Sequence, residues 1–324
     1  MVATYINGRL GNQLFQYAFS KAVKLAQGDN APLVFNFGLV HKKGKPEDGF
    51  EDALKYFNVE NYKTDGVGAL WLKYGSLKQI ILVLLFQIDT RLGIKWKSFD
   101  SWYELFRKNG LIYVRIAGGF SQINYPVYQQ YLKTGKPKRI ICNGNFEVPA
   151  LFEHIKPILM EEFTPKQPPR PQNSALYDII NSTNSICVSI RRGDYLSDRY
   201  RSRYLVCDQS YFDRALEKAK ELVANPVFIF FSDDIEWVKE NVKTDAPAYY
   251  ESGDDPVWEK LRLMYSCKHF IISNSTFSWW AQYLSRNTSN KIVISPDHWF
   301  NNSPDAPPSP LIAEDFIKIT CTCE

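Results

Sequence analysis

Short apolar runs punctuate the second half of the chain, and each leads into a polar cluster and then a helical pattern. Ile186 to Ile190 runs into Arg191-Arg-Gly-Asp194, and Val227 to Phe231 into Ser232-Asp-Asp234. Phe270 to Ile272 runs into Ser273-Asn-Ser-Thr276, and Lys291 to Ser295 reads as a further strand. Between them lie helices. Tyr211 to Ala224 carries Ala215, Leu216, Ala219, Leu222 and Val223 on one face and stops at Asn225-Pro226. Ile235 to Val242 begins another helix, and Phe277, Trp280 and Leu284 space a third. Apolar strands that alternate with helices predict a parallel sheet covered on both faces. Ligands of such sheets bind beyond the carboxyl ends of the strands, so the three chemically distinct strand ends are the candidate site.

The first half opens on the same grammar. Ala3 to Ile6 reads as a strand, Asn7 to Gln13 as a glycine-bearing turn, and Leu14 to Gln27 as a helix with Gly28 at its C-terminal cap. Backbone N–H groups at a helix start can hold an anion or a hydroxyl. Gly8 and Gly11 lack the spacing of a dinucleotide fingerprint, so alone the turn is only a tight turn. Pro32 to Phe37 is the next expected strand, Lys42 to Asp48 a charged loop, and Phe50 to about Trp102 mostly helical. Gly118-Gly-Phe120 begins a loop, Arg139 to Cys142 is a short strand, and Asn143 to Val148 is an open polar turn. Pro165, Pro168, Pro169 and Pro171 stiffen the stretch Thr164 to Gln172, which divides the chain into domains at 1–163 and 164–324.

Composition narrows the class. A chain of 324 residues, 45% hydrophobic and 23% charged, has the balance of a soluble globular protein with room for two domains. A net charge of +4 does not suit a dedicated nucleic-acid binder. The six cysteines follow no framework spacing, and Cys187 and Cys267 sit in or beside apolar runs, which favours buried free thiols and a reducing compartment. Cys321 and Cys323 read as a frayed tail. No signal peptide is visible, so the chain is read as cytoplasmic. The apolar run Ile80 to Phe86 is too short to span a bilayer and reads as a buried helix. Arg91, Lys95 and Lys97 follow it, which leaves a peripheral membrane-surface role as the alternative.

Side-chain chemistry suggests roles. Arg191 and Arg192 present donor forks that match a phosphate, each charge-assisted contact contributing roughly 1.5–3 kcal/mol. The plainer reading is a solvated strand end. Ser275 and Thr276 precede a helix and can serve a second phosphate. Asp233 can accept two donors from a guanine edge, although capping of the helix from Ile235 explains one of the Asp233-Asp234 pair equally well. Without histidine or further carboxylates nearby the pair does not make a metal site. The histidines at 41, 154, 269 and 298 share no ligand or triad spacing, and His269 reads as structural.

Four stretches in order, Gly8-Arg-Leu-Gly-Asn-Gln-Leu-Phe-Gln-Tyr-Ala18, Ile190-Arg-Arg-Gly-Asp-Tyr195, Phe230-Phe-Ser-Asp-Asp234 and Asn274-Ser-Thr-Phe-Ser-Trp-Trp280, resemble the motifs of the α-1,2-fucosyltransferases, above all the short bacterial ones. The resemblance implies an α/β, GT-B-like fold of two Rossmann-type domains with parallel sheets facing a cleft. The N-terminal domain would serve the acceptor and the C-terminal domain the donor. It further implies transfer of L-fucose from GDP-L-fucose to the 2-hydroxyl of a galactose-type acceptor, on an oligosaccharide or a lipid-linked glycan. Transfer would invert the anomeric centre and need neither metal nor cofactor. Carried over by position, Arg192 with Arg191 grips the diphosphate, Ser232 and Asp233 meet the donor with Asp233 reading the guanine, and Asn274, Ser275, Thr276 and Phe277 line phosphate and fucose. Gly11, Asn12 and Gln13 close over the donor from the other domain. Many relatives place a histidine where this chain has Ser189, which puts base recognition there in question. Asp194, the carboxylate nearest the phosphate site in sequence, is the first candidate for general base, with anchoring of the arginines as its alternative.

Three other readings remain open at this level. One is a GDP-sugar transferase of different sugar or linkage, and another a non-catalytic carbohydrate- or anion-binding protein. The third takes Arg192-Gly-Asp194 as an adhesion tripeptide, which needs an exposed loop on an exported chain. Acceptor specificity is expected in Lys42 to Asp48, Gly118 to Ser121 and Asn143 to Val148.

Overall fold

The computed structural model describes the chain except residues 29, 67, 114–115, 118–119, 122–138, 288–289, 302–307 and 322–324. The chain forms two compact units, one of residues 1–55 and 59–162, the other of residues 56–58 and 163–324. Each is built on a parallel sheet, so the α/β character expected from the apolar runs, and the Rossmann-type domains that the resemblance implies, are what the structure shows.

The first unit orders its sheet β3-β2-β1-β7-β4. These are Val2–Tyr5 (β1), Leu33–Asn36 (β2), Tyr62–Asp65 (β3), Leu111–Tyr113 (β4) and Ile140–Asn143 (β7). The intervening Ile116–Ala117 (β5) and Phe120–Ser121 (β6) pair with each other. All five main strands run parallel. Helix α1, Leu10–Ala26, starts four residues earlier than its apolar spacing suggested, because its first turn is the polar part of the glycine turn. Its N-cap is Arg9, which makes no side-chain cap, so no sequence signal marks the start. Most of α1 is buried, polar residues included, and each buried polar group has a partner. Thr4 and Ser20 hydroxyls meet at 2.7 Å. Lys21 lies 2.6 Å from both Glu60 and Glu162. Burial opposes the Lys21 charge, but the two carboxylates outweigh it and raise its pKa above the ordinary value.

Three expectations in this unit are corrected. The stretch from Phe50 to Trp102 contains β3, an edge strand of polar residues that offered no apolar run to read. Lys42 to Asp48 is partly helical, with Gly38–Lys43 (α2) reaching into it and a single 3₁₀ turn at Pro46–Asp48. The apolar run from Ile80 lies within α4, Leu77–Leu92, which follows the short α3, Leu70–Tyr74. Only part of α4 is buried: Leu82 and Val83 enter the core while Ile81, Leu84 and Ile88 are exposed. Phe86 packs edge-on against Trp102 and Phe106 of α5, Phe99–Arg107. Among the described residues no helix is long and apolar enough to cross a membrane.

The second unit orders its sheet β10-β9-β8-β11-β12-β13. The strands are Asn184–Ile190 (β8), Pro226–Ser232 (β9), Ala248–Tyr250 (β10), His269–Ile272 (β11), Val293–Pro296 (β12) and Ile317–Ile319 (β13). Numbered within the unit this is 3-2-1-4-5-6, a doubly wound order whose direction reverses between β8 and β11. The central strands β8, β9 and β11 are buried along nearly their whole length, which explains why they read as unbroken apolar runs. His269 is structural, its Nδ1 accepting the Ile292 N–H at 3.2 Å. The cysteines at 142, 187, 207, 267 and 321 are free and buried. Cys321 belongs to the core beside Cys207 rather than to a frayed tail. Cys323 lies outside the described residues.

Candidate functional site

The three polar strand ends singled out in the sequence belong to three adjacent strands. β9, β8 and β11 are consecutive neighbours, paired in register with Ile190 opposite Ser232 and Ser189 opposite Ile272. Because the strands are parallel, Arg191-Arg192, Ser232 to Asp234 and Asn274 to Phe277 all emerge from one edge. That edge is the carboxyl end, at the point where strand order reverses. This is where an open α/β sheet leaves a crevice between diverging connections.

The arginines are held rather than loose. Arg191 Nη2 donates to Asp194 Oδ1 at 2.5 Å, and its Nη1 lies 2.7 Å from Asp233 Oδ2. Burial works against the Arg191 charge, but Asp233 and Asp194 more than offset it and raise the pKa above its usual value. Arg192 Nε donates to Asp234 Oδ2 at 3.2 Å, and its guanidinium stacks 3.4 Å from the Trp237 ring centre. A guanidinium has five N–H donors, and these contacts occupy only part of each fork. Both arginines therefore keep a fixed direction together with donor capacity, which is what a preorganised anion site requires.

Asp233 ties the ends of β8 and β9 together. Besides meeting Arg191, its Oδ1 accepts the Arg192 backbone N–H at 2.9 Å. The close approach explains Gly193: a Cβ there would collide with the Asp233 carboxylate. Asp234 is the helix cap that the plainer reading foresaw, its Oδ1 accepting the Trp237 N–H at the start of Ile235–Asn241. Ser232 Oγ accepts the Asp234 N–H at 3.0 Å, tightening the same turn. Asp194 sits in the anchoring position that was the alternative to a general base.

At the end of β11 the residues divide into two kinds. Asn274 is buried and spends its side-chain N–H groups on the Tyr204 and Trp299 carbonyls, both at 2.9 Å, so it clamps the end of the helix Asp198–Tyr204 to the segment at Trp299. Ser275, Thr276 and Phe277 are half-buried at the N-terminus of the helix Thr276–Leu284, with Ser275 as its N-cap residue. The backbone amides of this first turn form the positive end of the helix dipole. Ser189 turns to Ser278 at 2.7 Å and joins β8 to this helix, so its hydroxyl serves packing.

In the first unit, Gly8 takes a φ of +77 and crowds Asn12, a geometry that favours glycine. Gly11, Asn12 and Gln13 lie in the first turn of α1 rather than in a loop. Gln13 is fully buried and staples the chain. Its Nε2 donates to the Gly8 and Glu51 carbonyls at 3.1 and 2.7 Å, and its Oε1 accepts the Ala53 N–H at 3.0 Å. The turn after β7 holds a group the sequence did not reveal. Glu147 is 4% exposed, and burial pushes its carboxyl up to about 8 despite a hydrogen bond from Asn145. Asn145 in turn accepts from Asn7 at 3.2 Å, across the point where this sheet's order reverses between β1 and β7. Of the expected acceptor stretch at Gly118 to Ser121, residues 118–119 lie outside the described residues.

Two aromatic residues of the site were missed. Trp237 carries Arg192, and Tyr195 lies under Arg191 at 5.6 Å with its hydroxyl donating to the Asn274 carbonyl at 3.1 Å. Tyr195 follows the arginines closely and Trp237 lies far along the chain from Arg192, and in neither case does sequence position say which ring faces a guanidinium.

Comparison with known proteins agrees with the motifs. The model of Glycosyl transferase family 11 matches residues 155–306, which contain the three strand ends. An alpha-1,2-colitosyltransferase of Escherichia coli is 27% identical over 308 residues, 93% of this chain and 92% of that protein. The O-antigen biosynthesis glycosyltransferase WbnK of Escherichia coli is 35% identical over 126 residues, covering 38% of this chain and 41% of its own length. The mouse galactoside 2-alpha-L-fucosyltransferase Sec1 is 26% identical over 210 residues, 61% of this chain and half of its own. The glycosyl transferase family 11 match thus spans the three strand ends, and the chain's resemblance to the α-1,2-fucosyltransferase family holds.

Proposed function

We propose that the chain is an inverting galactoside α-1,2-fucosyltransferase that uses GDP-L-fucose. The observation that carries the reading is the arginine pair fixed at the reversal point of the six-stranded sheet, beside a helix N-terminus. A departing nucleoside diphosphate needs positive charge where its own negative charge develops. In this reading Arg192 and Arg191 supply it, the Ser275 to Phe277 turn receives the second phosphate and the sugar, and Ser232 and Asp233 meet the donor from β9. Asp233 retains lone pairs for a guanine edge beyond those given to the arginines. In the first unit, Gln13 shapes the turn that carries Gly11 and Asn12 from within. Asp194 acts by holding Arg191, not by taking a proton. Charge from the arginines makes a divalent ion unnecessary.

A second reading keeps the α-1,2 linkage and replaces fucose by colitose, the sugar named for the relative that aligns along 92% of its length. Incubation with GDP-L-fucose and a panel of β-galactosides in EDTA, followed by linkage analysis, tests both. An α-1,2-fucosylated product with GDP release is expected. Turnover only with a colitose donor supports the second reading, and no GDP release from either donor refutes the proposal.

A further inference from the structure

Helix α4 takes no part in the site described above, yet it presents an apolar face outward. Leu77, Ile81, Leu84, Ile88 and Leu92 recur at intervals of three and four residues, so they lie on one stripe. They are 73%, 47%, 44%, 42% and 71% exposed. A helix of 16 residues is about 24 Å long, and the stripe runs its whole length. Past the Gly93 cap, Trp96 continues it at 54% exposure. The opposite face is committed to the core through Leu82, Val83 and Phe86. An apolar stripe of this extent on a polar-rimmed protein marks an interaction surface.

The charges around it identify the occupant. Residues 65–100 contain Lys73, Lys78, Arg91, Lys95 and Lys97 against Asp65, Asp89 and Asp100, and Asp65 pairs with Lys73 at 2.9 Å. Asp89 is buried and faces inward, accepting from the Trp102 indole at 2.5 Å and from the Trp96 backbone at 2.7 Å. The rim of the stripe is therefore cationic. A second copy of the chain would set one net-positive rim against another across this face, since Lys78, Arg91, Lys95 and Lys97 outnumber the exposed Asp100. Anionic lipid headgroups complement the cations while the acyl boundary takes up the stripe, and tryptophan suits that boundary.

We infer that α4 docks the protein on an anionic lipid surface, the helix lying in the plane of the interface. Flotation of the full chain with vesicles tests this, using phosphatidylcholine alone and phosphatidylcholine with about 30% phosphatidylglycerol at low salt. The wild type should float with the anionic vesicles only and be released by salt. The variant I81E/I88E should lose binding by at least about tenfold. The variant R91Q/K95Q/K97Q, which keeps the stripe, should lose about 100-fold. Both variants should keep wild-type circular dichroism and thermal melting. Absence of wild-type binding, equal binding to neutral vesicles, or unchanged binding by both variants overturns the inference. So does sedimentation showing a wild-type dimer that I81E/I88E converts to monomer, since the stripe would then be a protein interface.

Discussion

Glu147 offers a test with a calculable size. Its carboxyl is buried in the turn after β7, where Phe146 adopts a φ of 56 to stack its ring on Phe19 at 3.9 Å. The strained turn and the packed ring deny the carboxyl water, and burial raises its pKa from 4.5 to about 8. The sign follows from proton counting. Below pH 4.5 folded and unfolded chains both hold the proton; between 4.5 and about 8 the unfolded chain releases it and the folded chain does not. Stability therefore falls as pH rises through that window and levels off above it. Glu147→Gln keeps the shape and can still accept from Asn145, but has no proton to lose. The variant's advantage over wild type should grow from about 1 kcal/mol at pH 5 to about 4 kcal/mol at pH 8. Native-state hydrogen exchange of the slowest β1 and β7 amides, compared between the two proteins at each pH, reads the first unit alone and cancels all other titrations. A difference that stays flat from pH 5 to 8 would refute the buried-carboxyl account.

Four further outcomes are expected. Arg192→Ala should lower kcat about 100-fold or more, measured as GDP release, since a fixed charge on the leaving group is lost. Asp194→Asn should retain kcat within about tenfold, whereas loss of a general base costs 10²–10⁴-fold. Gly193→Ala should weaken GDP binding by about 10–100-fold in calorimetry, because the displaced Asp233 releases Arg191. Gln13→Ala should destabilise the first unit by about 3 kcal/mol in the same exchange assay, through three buried hydrogen bonds lost together.

The parts of this architecture that were readable share one property: their residues bury both faces. β8, β9 and β11 stand out because a central parallel strand admits few polar residues. β3, β10 and β13 close the sheet edges, and Tyr62–Asp65, Ala248–Tyr250 and Ile317–Ile319 are half solvated and too short for a pattern. The arginine pair was legible as a charged strand end, and the parallel order brings its two companion ends beside it. Side-chain amides were not legible. Asn274 and Gln13 have the groups to bind a ligand, and only the fold shows that both instead spend them on backbone carbonyls. Likewise Ile80 to Phe86 told of a helix but not of which side faced water.

The second unit borrows three residues from far upstream. Tyr56–Asn58 lies along the linker, with Phe57 bridged to Pro165, the Lys166 N–H bonded to the Tyr56 carbonyl at 2.9 Å and the Asn58 N–H to the Thr164 carbonyl at 3.0 Å. Phe57 is fully buried there. Cutting the gene at the proline-rich linker would therefore not yield two self-sufficient halves, since the downstream fragment would lack an aromatic plug and a short run of backbone pairing. A fragment from residue 163 onward should need that tripeptide restored, by fusion of residues 56–58 ahead of Phe163 or in trans as a peptide, before it folds with full stability. Any exchange of the downstream half of this chain should carry residues 56–58 with it.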